Sequence, residues 1–274
     1  MTAEPSALLK AGDPEGALAA LQDKVRADPA DARLRIFLFQ LLCVLGDWKR
    51  AVTQLKVAAE MDESATTMAQ AYRETIICEN FREKVFAGEK EPLIFGKPQE
   101  WIALLVEALK TLASGKTAEA AELRARAFEM APATPGTLND TAFEWIADAD
   151  MRLGPILEVI VNGKYFWMPF SAIHSLRCEA PSDLRDYVWT PGNLTLQNGG
   201  EHVVMIPTRY AGTTSSNDGA EMLARATSWS DAGDDTYLGS GQRLLATEAG
   251  DMGLLELRTL SVQPLEEDMA EGDG

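Results

Sequence analysis

The sequence predicts two different parts, a TPR-like α-α superhelix at residues 1–138 and a small α+β domain at residues 139–264, whose antiparallel sheet curls toward a barrel. The first observation behind this is a 34-residue repeat in the first half, the period of tetratricopeptide repeats. The second is a change near residue 154 from helical to alternating hydrophobic periodicity. The third is a shift in net charge, from −3 over residues 1–138 to −14 over residues 139–274.

The repeat is read from identical residues spaced 34 apart. Gly12-Asp13 recurs as Gly46-Asp47, Ala17 recurs as Ala51, and Leu21 recurs as Leu55. In this motif the Gly-Asp turn joins two antiparallel helices, and the small residue lets the second helix pack closely on the first. Pro29 stands where the second helix ends, whereas Glu63 holds that position in the second copy.

A third copy lies out of phase with the first two. Its residues reproduce the spacing of the first copy: Gly115, Ala120, Ala127 and Pro132. The interval before it is predicted to hold a helix around residues 65–87. An irregular loop at 88–99 follows, because Pro92, Gly96 and Pro98 interrupt any regular element.

The first helix of each pair is predicted to line a concave groove. Counting from the Gly-Asp turn, the inward residues are Arg33, Ile36, Gln40 and Cys43 in copy two, and Ile102, Leu105, Leu109 and Leu112 in copy three. Such a largely apolar groove suits an amphipathic partner helix. The other interpretation is that these apolar stripes only form the core of the superhelix.

The second half is predicted to form strands. Residues 157–161 and 164–168 flank Asn162-Gly163, a strong signal for a two-residue hairpin turn. A second hairpin is predicted at 194–206, with its turn at 198–200. Further expected elements are strands at 242–247 and 254–260, short helices at 138–151 and 218–225, and an acidic disordered tail at 265–274.

Composition and charge indicate which kinds of partner and which cellular compartment are expected. The net charge of −17 disfavours nucleic acid and anionic membranes as partners. The N-terminus lacks a secretory signal pattern, and the most apolar stretch, residues 36–45, is far shorter than the ~20 residues that span a bilayer. The three cysteines are widely spaced and odd in number, which indicates buried thiols in a reducing cytoplasm.

The sequence predicts no catalytic residue, metal site or cofactor. The two histidines stand in no metal-ligand spacing, and neither a nucleophile elbow nor a phosphate-binding loop is present. The best catalytic constellation comprises Asp148, Asp150, Arg152, His174, Arg185 and Asp186. Convergence of these groups would allow acid–base chemistry; the alternative is that Asp148 and Asp150 form structural ion pairs with Arg152, Arg185 or Arg209.

Aromatic residues are numerous in the second half and can form either a core or a binding surface. The set comprises Tyr165, Phe166, Trp167, Trp189, Tyr210 and Trp229. Trp189 and Tyr210 are the better surface candidates, because they adjoin Pro191 and Arg209 in predicted loops.

Several runs in fixed order resemble the ImpE/TagJ family over most of residues 90–260. They are PLIFGKPQEW (92–101), ADADMRLGPILEVIVNGKYFWMPF (147–170), DLRDYVWTP (183–191), IPTRYAGT (206–213), ARATSW (224–229) and GSGQRLL (239–245).

The resemblance implies a non-enzymatic cytoplasmic adaptor of the type VI secretion system. Members of this family bind the N-terminal segment of the small sheath subunit, TssB, and are linked to the sheath-disassembling ATPase ClpV. The family has no assigned catalytic residues to carry over. The alternative is that the C-terminal half is an enzyme or small-ligand-binding domain to which the repeats recruit a protein substrate.

Overall fold

The structure, a computed structural model, describes residues 4–96 and 99–264, so the predicted tail at 265–274 lies outside the described residues. The helical part contains α1 (Pro5–Lys10), α2 (Pro14–Ala27), α3 (Ala32–Val44), α4 (Trp48–Met61), α5 (Thr66–Phe86), α6 (Glu100–Ala113) and α7 (Thr117–Met130). The predicted repeat hairpins and the helix at 65–87 are therefore confirmed.

The Gly-Asp turns end one helix and begin the next. Gly12 and Gly46 have φ of 81° and 72°, the left-handed conformation that favours glycine after a helix C-terminus. The aspartate that follows is the N-cap, and Oδ1 of Asp13 accepts from the Gly16 amide at 2.7 Å. Asp47 accepts from the Arg50 amide in the same way, at 3.2 Å.

Replacing the cap in the second turn is expected to destabilise the protein. Asp47→Ala should lower the free energy of unfolding by about 1 kcal/mol, because the amide at the start of α4 loses its partner. Lys116→Ala is the matched control, since Lys116 holds the same position in the third copy and makes no side-chain cap. Urea denaturation of both variants checks this; equal losses would show that the cap contributes nothing.

The sheet part contains fourteen described strands and one further short helix. They are β1 (Leu93–Ile94), β2 (Gly136–Leu138), β3 (Thr141–Phe143), β4 (Ala147–Asp148), β5 (Ile156–Val161), β6 (Lys164–Pro169), β7 (Ile173–Cys178), β8 (Trp189–Leu196), β9 (Glu201–Pro207), α8 (Gly219–Met222), β10 (Thr227–Asp231), β11 (Tyr237–Gly241), β12 (Leu244–Thr247), β13 (Gly250–Gly253) and β14 (Thr259–Val262).

Most of these strands form one nine-stranded sheet in the order β1-β6-β5-β9-β8-β7-β14-β2-β3. Strands β13-β12-β4 and β10-β11 form two smaller sheets. Both predicted hairpins are present, β5–β6 around Asn162-Gly163 and β8–β9 around 197–200. Among the described strands β1 and β3 stand at opposite edges without pairing, so the expected curling into a barrel is corrected to an open sheet.

The prediction of a helix at 138–151 is wrong. This segment forms β2, β3 and β4, because Leu138 pairs with Leu260 of β14 and Asp148 pairs with Leu245 of β12. These partners lie about a hundred residues away, so the local periodicity that suggested a helix carried no information about them. The sheet also includes β1 and β2, which precede the predicted boundary at residue 139.

The interior strand β5 is buried on both faces. Ile156 and Ile160 pack toward the helices, whereas Leu157, Val159 and Val161 pack into a second core on the opposite face of the sheet. Burial on both faces explains why β5 reads as a nearly continuous apolar run rather than a simple alternation.

The segment at 208–243 runs along the turns of the helical hairpins. Gly219 lies against the Gly12 carbonyl, and a Cβ on Gly46 would lie 2.7 Å from Cβ of Thr214. In the third copy, Arg124 of α7 donates to Oγ1 of Thr236 at 2.8 Å. The repeat turns therefore serve as docking points for the sheet part.

Candidate functional site

On α3, the first helix of the second repeat, one row of side chains stays exposed or half-buried. It consists of Arg33, Ile36, Phe37 and Gln40, which we call the α3 stripe; Arg33 is exposed and the other three are half-buried. Spacings of three, four and seven residues place these side chains on one helix face. The stripe combines an apolar middle with polar ends, which suits an amphipathic helix.

The rest of the concave side is occupied by the sheet. Tyr72 of α5 packs edge-on against Phe39 of α3, with ring centroids 5.7 Å apart, and at a tilt against Trp189 of β8, at 5.9 Å. The guanidinium of Arg185 lies 4.8 Å from the centre of the Tyr72 ring. The loop that carries Arg185 therefore borders the region where α3 meets α5, and the accessible groove is shorter than the repeats alone would give.

This packing corrects four of the predicted groove residues. Cys43, Ile102, Leu105 and Leu109 are each buried to 3% exposure or less, and Leu112 is half-buried. Arg209 covers the end of α3, where its guanidinium donates to the carbonyls of Val44 at 2.7 Å and Cys43 at 3.3 Å. In the third copy the apolar stripe is core, so these residues do not form an accessible surface.

The two predicted aromatic surface residues are also corrected. Trp189 packs against Trp48 at 5.8 Å and donates its indole N–H to Glu79 at 3.0 Å. Tyr210 lies beneath Trp229, with ring centroids 5.5 Å apart, and its hydroxyl accepts from the Leu244 amide at 2.9 Å. Both side chains are buried: Trp189 begins β8 and packs against the helices, and Tyr210 lies in a loop that folds inward against the β10–β11 hairpin.

A buried ionic cluster, which we call the junction network, joins α5 to the sheet. Arg82 of α5 donates to both carboxylate oxygens of Glu158 on β5, at 2.6 and 2.9 Å, and to Glu79 at 2.8 Å. Arg243 and the Tyr165 hydroxyl also donate to Glu158. Burial raises the pKa of Glu158, but the charges of Arg82 and Arg243 outweigh burial and lower it to about 2.

Sequence reasoning missed this network, although one signal was available. Glu158 interrupts the apolar run of β5, and a carboxylate in a strand buried on both faces must be paired. Its partners Arg82 and Arg243 lie 76 and 85 residues away in sequence, and no local pattern identifies them.

Asp148 is the second carboxylate of the network. Its Oδ2 lies 3.2 Å from Nε of Arg243, and its Oδ1 accepts from the Asp150 amide at 2.8 Å. Burial raises the pKa of Asp148 to about 7, against the opposing charge of Arg243. Asp150 pairs with Arg152, as expected, whereas Asp148 lies beside Arg243, a partner that the sequence did not indicate.

Asp148 makes stability depend on pH in a defined direction. The folded protein keeps this proton up to about pH 7, whereas the unfolded chain releases it near pH 3.8, so the contribution declines as pH rises between these values. Between pH 5.5 and 7.0, wild type should lose about 2 kcal/mol relative to Asp148→Asn. Urea unfolding at both pH values tests this, and a difference that does not vary with pH would contradict it.

The catalytic constellation does not assemble around the histidine. His174 is exposed on β7, and among the contacts of the described residues no hydrogen bond or ion pair joins it to a carboxylate. Arg185 pairs with Asp183, and Asp186 accepts from the amides of Ser182 and Asp183. These contacts stabilise the loop at 182–186 itself. The strongest form of the enzyme hypothesis required His174 to converge with these carboxylates and arginines, and the structure does not bring them together.

Other ligand classes find little support in the part of the chain that the structure covers. Residues 4–96 and 99–264 contain no cluster of three or more His, Cys, Asp or Glu side chains placed to hold a metal ion. No helix in those ranges has the length and apolar character needed to cross a membrane. All three cysteines are free and buried, and burial raises the pKa of Cys78 to about 11 and that of Cys178 to about 12.

Both parts of the chain are similar to known proteins. A model of the tetratricopeptide repeat matches residues 8–72, and a model of the family described as ImpE protein matches residues 140–261. The type VI secretion system accessory component TagJ of Pseudomonas aeruginosa is 53% identical over 257 residues, covering 94% of this chain and 90% of the relative. A crystal structure of a Vibrio parahaemolyticus protein superposes with a TM-score of 0.87 at 27% identity, covering 96% of this chain and 98% of that one.

Proposed function

The chain belongs to the ImpE family, and from this premise we propose that it is a non-enzymatic cytoplasmic adaptor of the type VI secretion system. The observation that carries the proposal is the likeness, over nearly the full length of both chains, to a protein named as an accessory component of that system. Tetratricopeptide repeats bind other proteins in many settings, which agrees with an adaptor role.

The partner in this proposal is the small sheath subunit, which would contribute its amphipathic N-terminal helix. The α3 stripe supports this choice, because Ile36 and Phe37 supply an apolar middle and Arg33 and Gln40 supply polar ends. A helix that lies along the stripe would bury its apolar face there and keep its polar face in water. Through the sheath the adaptor would be linked to disassembly by the ClpV ATPase.

Isothermal titration of the full chain with a peptide from the N-terminus of the small sheath subunit of the same gene cluster tests the proposal. We expect saturable one-to-one binding. The control peptide has the same composition in scrambled order, which destroys the apolar face, and it should not bind. Absence of binding to the native peptide, with the protein folded, would refute the partner assignment.

A further inference from the structure

A second apolar groove lies where the third repeat meets the sheet. Its volume is about 570 Å³. One wall is formed by Phe128 and Pro132 at the end of α7, and the other by Trp145, Ile146, Met151 and Pro155. We call it the Trp145 groove. It is distinct from the α3 stripe, with which it shares no residue.

Trp145 stands out on this groove because it is 41% exposed. Leaving a large aromatic side chain in water forgoes hydrophobic stabilisation, and Trp is enriched at the centres of protein interfaces.

The charges around the groove are negative. Asp148, the one described lining residue with an ionisable side chain, is buried beside Arg243, so the exposed charges come from the rim of the groove. Beside Trp145, the carboxylate of Glu248 accepts from the Glu144 amide at 2.6 Å and from the Trp145 amide at 3.5 Å, and both glutamates are exposed. The neighbouring Arg152 is already paired with Asp150.

The negative charge beside the Trp145 groove favours some binding partners over others. A second copy of this chain would bring a net charge of −17, and residues 265–274 carry five acidic residues and no basic one. Both would face like-charge repulsion at a carboxylate-flanked site. A segment with apolar side chains on one side and lysine or arginine on the other would instead meet complementary charge.

We propose that the Trp145 groove is a second docking site, whose occupant is a basic amphipathic segment of a partner protein. Apolar side chains of that segment would pack on Trp145 and Phe128, and its basic side chains would lie near Glu144 and Glu248. The adaptor would then hold two different partners at once, one at the α3 stripe and one at the Trp145 groove.

The test uses the full chain and a fluorescent peptide of leucine and lysine, ordered to form a helix with one apolar and one basic face. We expect saturable binding by fluorescence anisotropy, weakened about tenfold or more in Trp145→Ala and in Glu248→Lys. Trp229→Ala is the matched control, because Trp229 is 40% exposed on the separate β10–β11 hairpin, and it should bind like wild type.

Results of three kinds would overturn the proposal. Equal affinity in wild type and both groove variants, or no binding at all, would remove the groove as the site. Equal binding of a leucine–glutamate peptide with the same apolar pattern would show that charge does not select the occupant. Tighter peptide binding after deletion of residues 265–274, or loss of a dimer in Trp145→Ala by sedimentation, would assign the groove to the chain's own tail or to a second copy.

Discussion

Glu158→Gln is expected to lower the free energy of unfolding by about 3–5 kcal/mol. The substitution keeps the size of the side chain but removes the carboxylate that, among the described residues, pairs with both Arg82 and Arg243. Both guanidiniums are buried, so neither can recover the lost interaction from water. Because Arg82 belongs to α5 and Glu158 to β5, the loss weakens the attachment of the helical part to the sheet.

Glu83→Gln is the matched control for this prediction. Glu83 also lies on α5 and accepts a hydrogen bond from the Trp48 indole at 2.8 Å, but it is exposed. Its replacement should cost no more than about 1 kcal/mol. Urea denaturation of both variants provides the comparison, and equal small losses would mean that the junction network does not stabilise the fold.

Ile36→Asp is expected to weaken binding of the sheath-subunit peptide about a hundredfold, equivalent to about 2.7 kcal/mol. Under the proposed function Ile36 lies in the apolar middle of the α3 stripe, so a carboxylate there would be buried without a partner on binding. Ile36 is half-buried in the free protein, so the fold should tolerate the change better than at a core position.

The control for this effect is the same substitution at another isoleucine. Ile77 is 58% exposed on α5 and lies outside the stripe, so Ile77→Asp should bind the peptide like wild type. Titration calorimetry of both variants measures the two affinities, with circular dichroism to check folding. Normal binding by Ile36→Asp would exclude the α3 stripe, and equal loss in both variants would indicate a general effect of charge.

The local elements of this fold could be predicted from sequence because their determinants are local. The Gly-Asp turns require a left-handed glycine and an N-cap, and Asn162-Gly163 requires a two-residue turn, whatever the rest of the chain does. Strands β2 and β4 could not be predicted, because their hydrogen-bond partners are the distant strands β14 and β12, and β3 pairs in turn with β2.

The candidate site could be predicted only in part, because tertiary contacts from distant segments cover some of the predicted residues. Helical periodicity places Arg33, Ile36 and Gln40 on one face of α3, where Arg33 is exposed and the other two are half-buried, and their role in binding a partner stays a prediction. The same periodicity could not reveal that Arg209 covers Cys43, or that Trp189 lies between Trp48 and Tyr72. An apolar stripe looks the same in sequence whether a partner or the chain's own second domain covers it.

The most direct test of the adaptor proposal is site-specific photo-crosslinking to the purified small sheath subunit. A photoreactive residue would replace Arg33 in the α3 stripe or, in a second protein, Val203, which is 70% exposed on β9. We predict cross-links from position 33 to the N-terminal helix of the sheath subunit, identified by mass spectrometry, and none from position 203. Cross-links from position 203 alone, or from neither position despite measurable binding, would contradict the assignment of the α3 stripe as the docking surface.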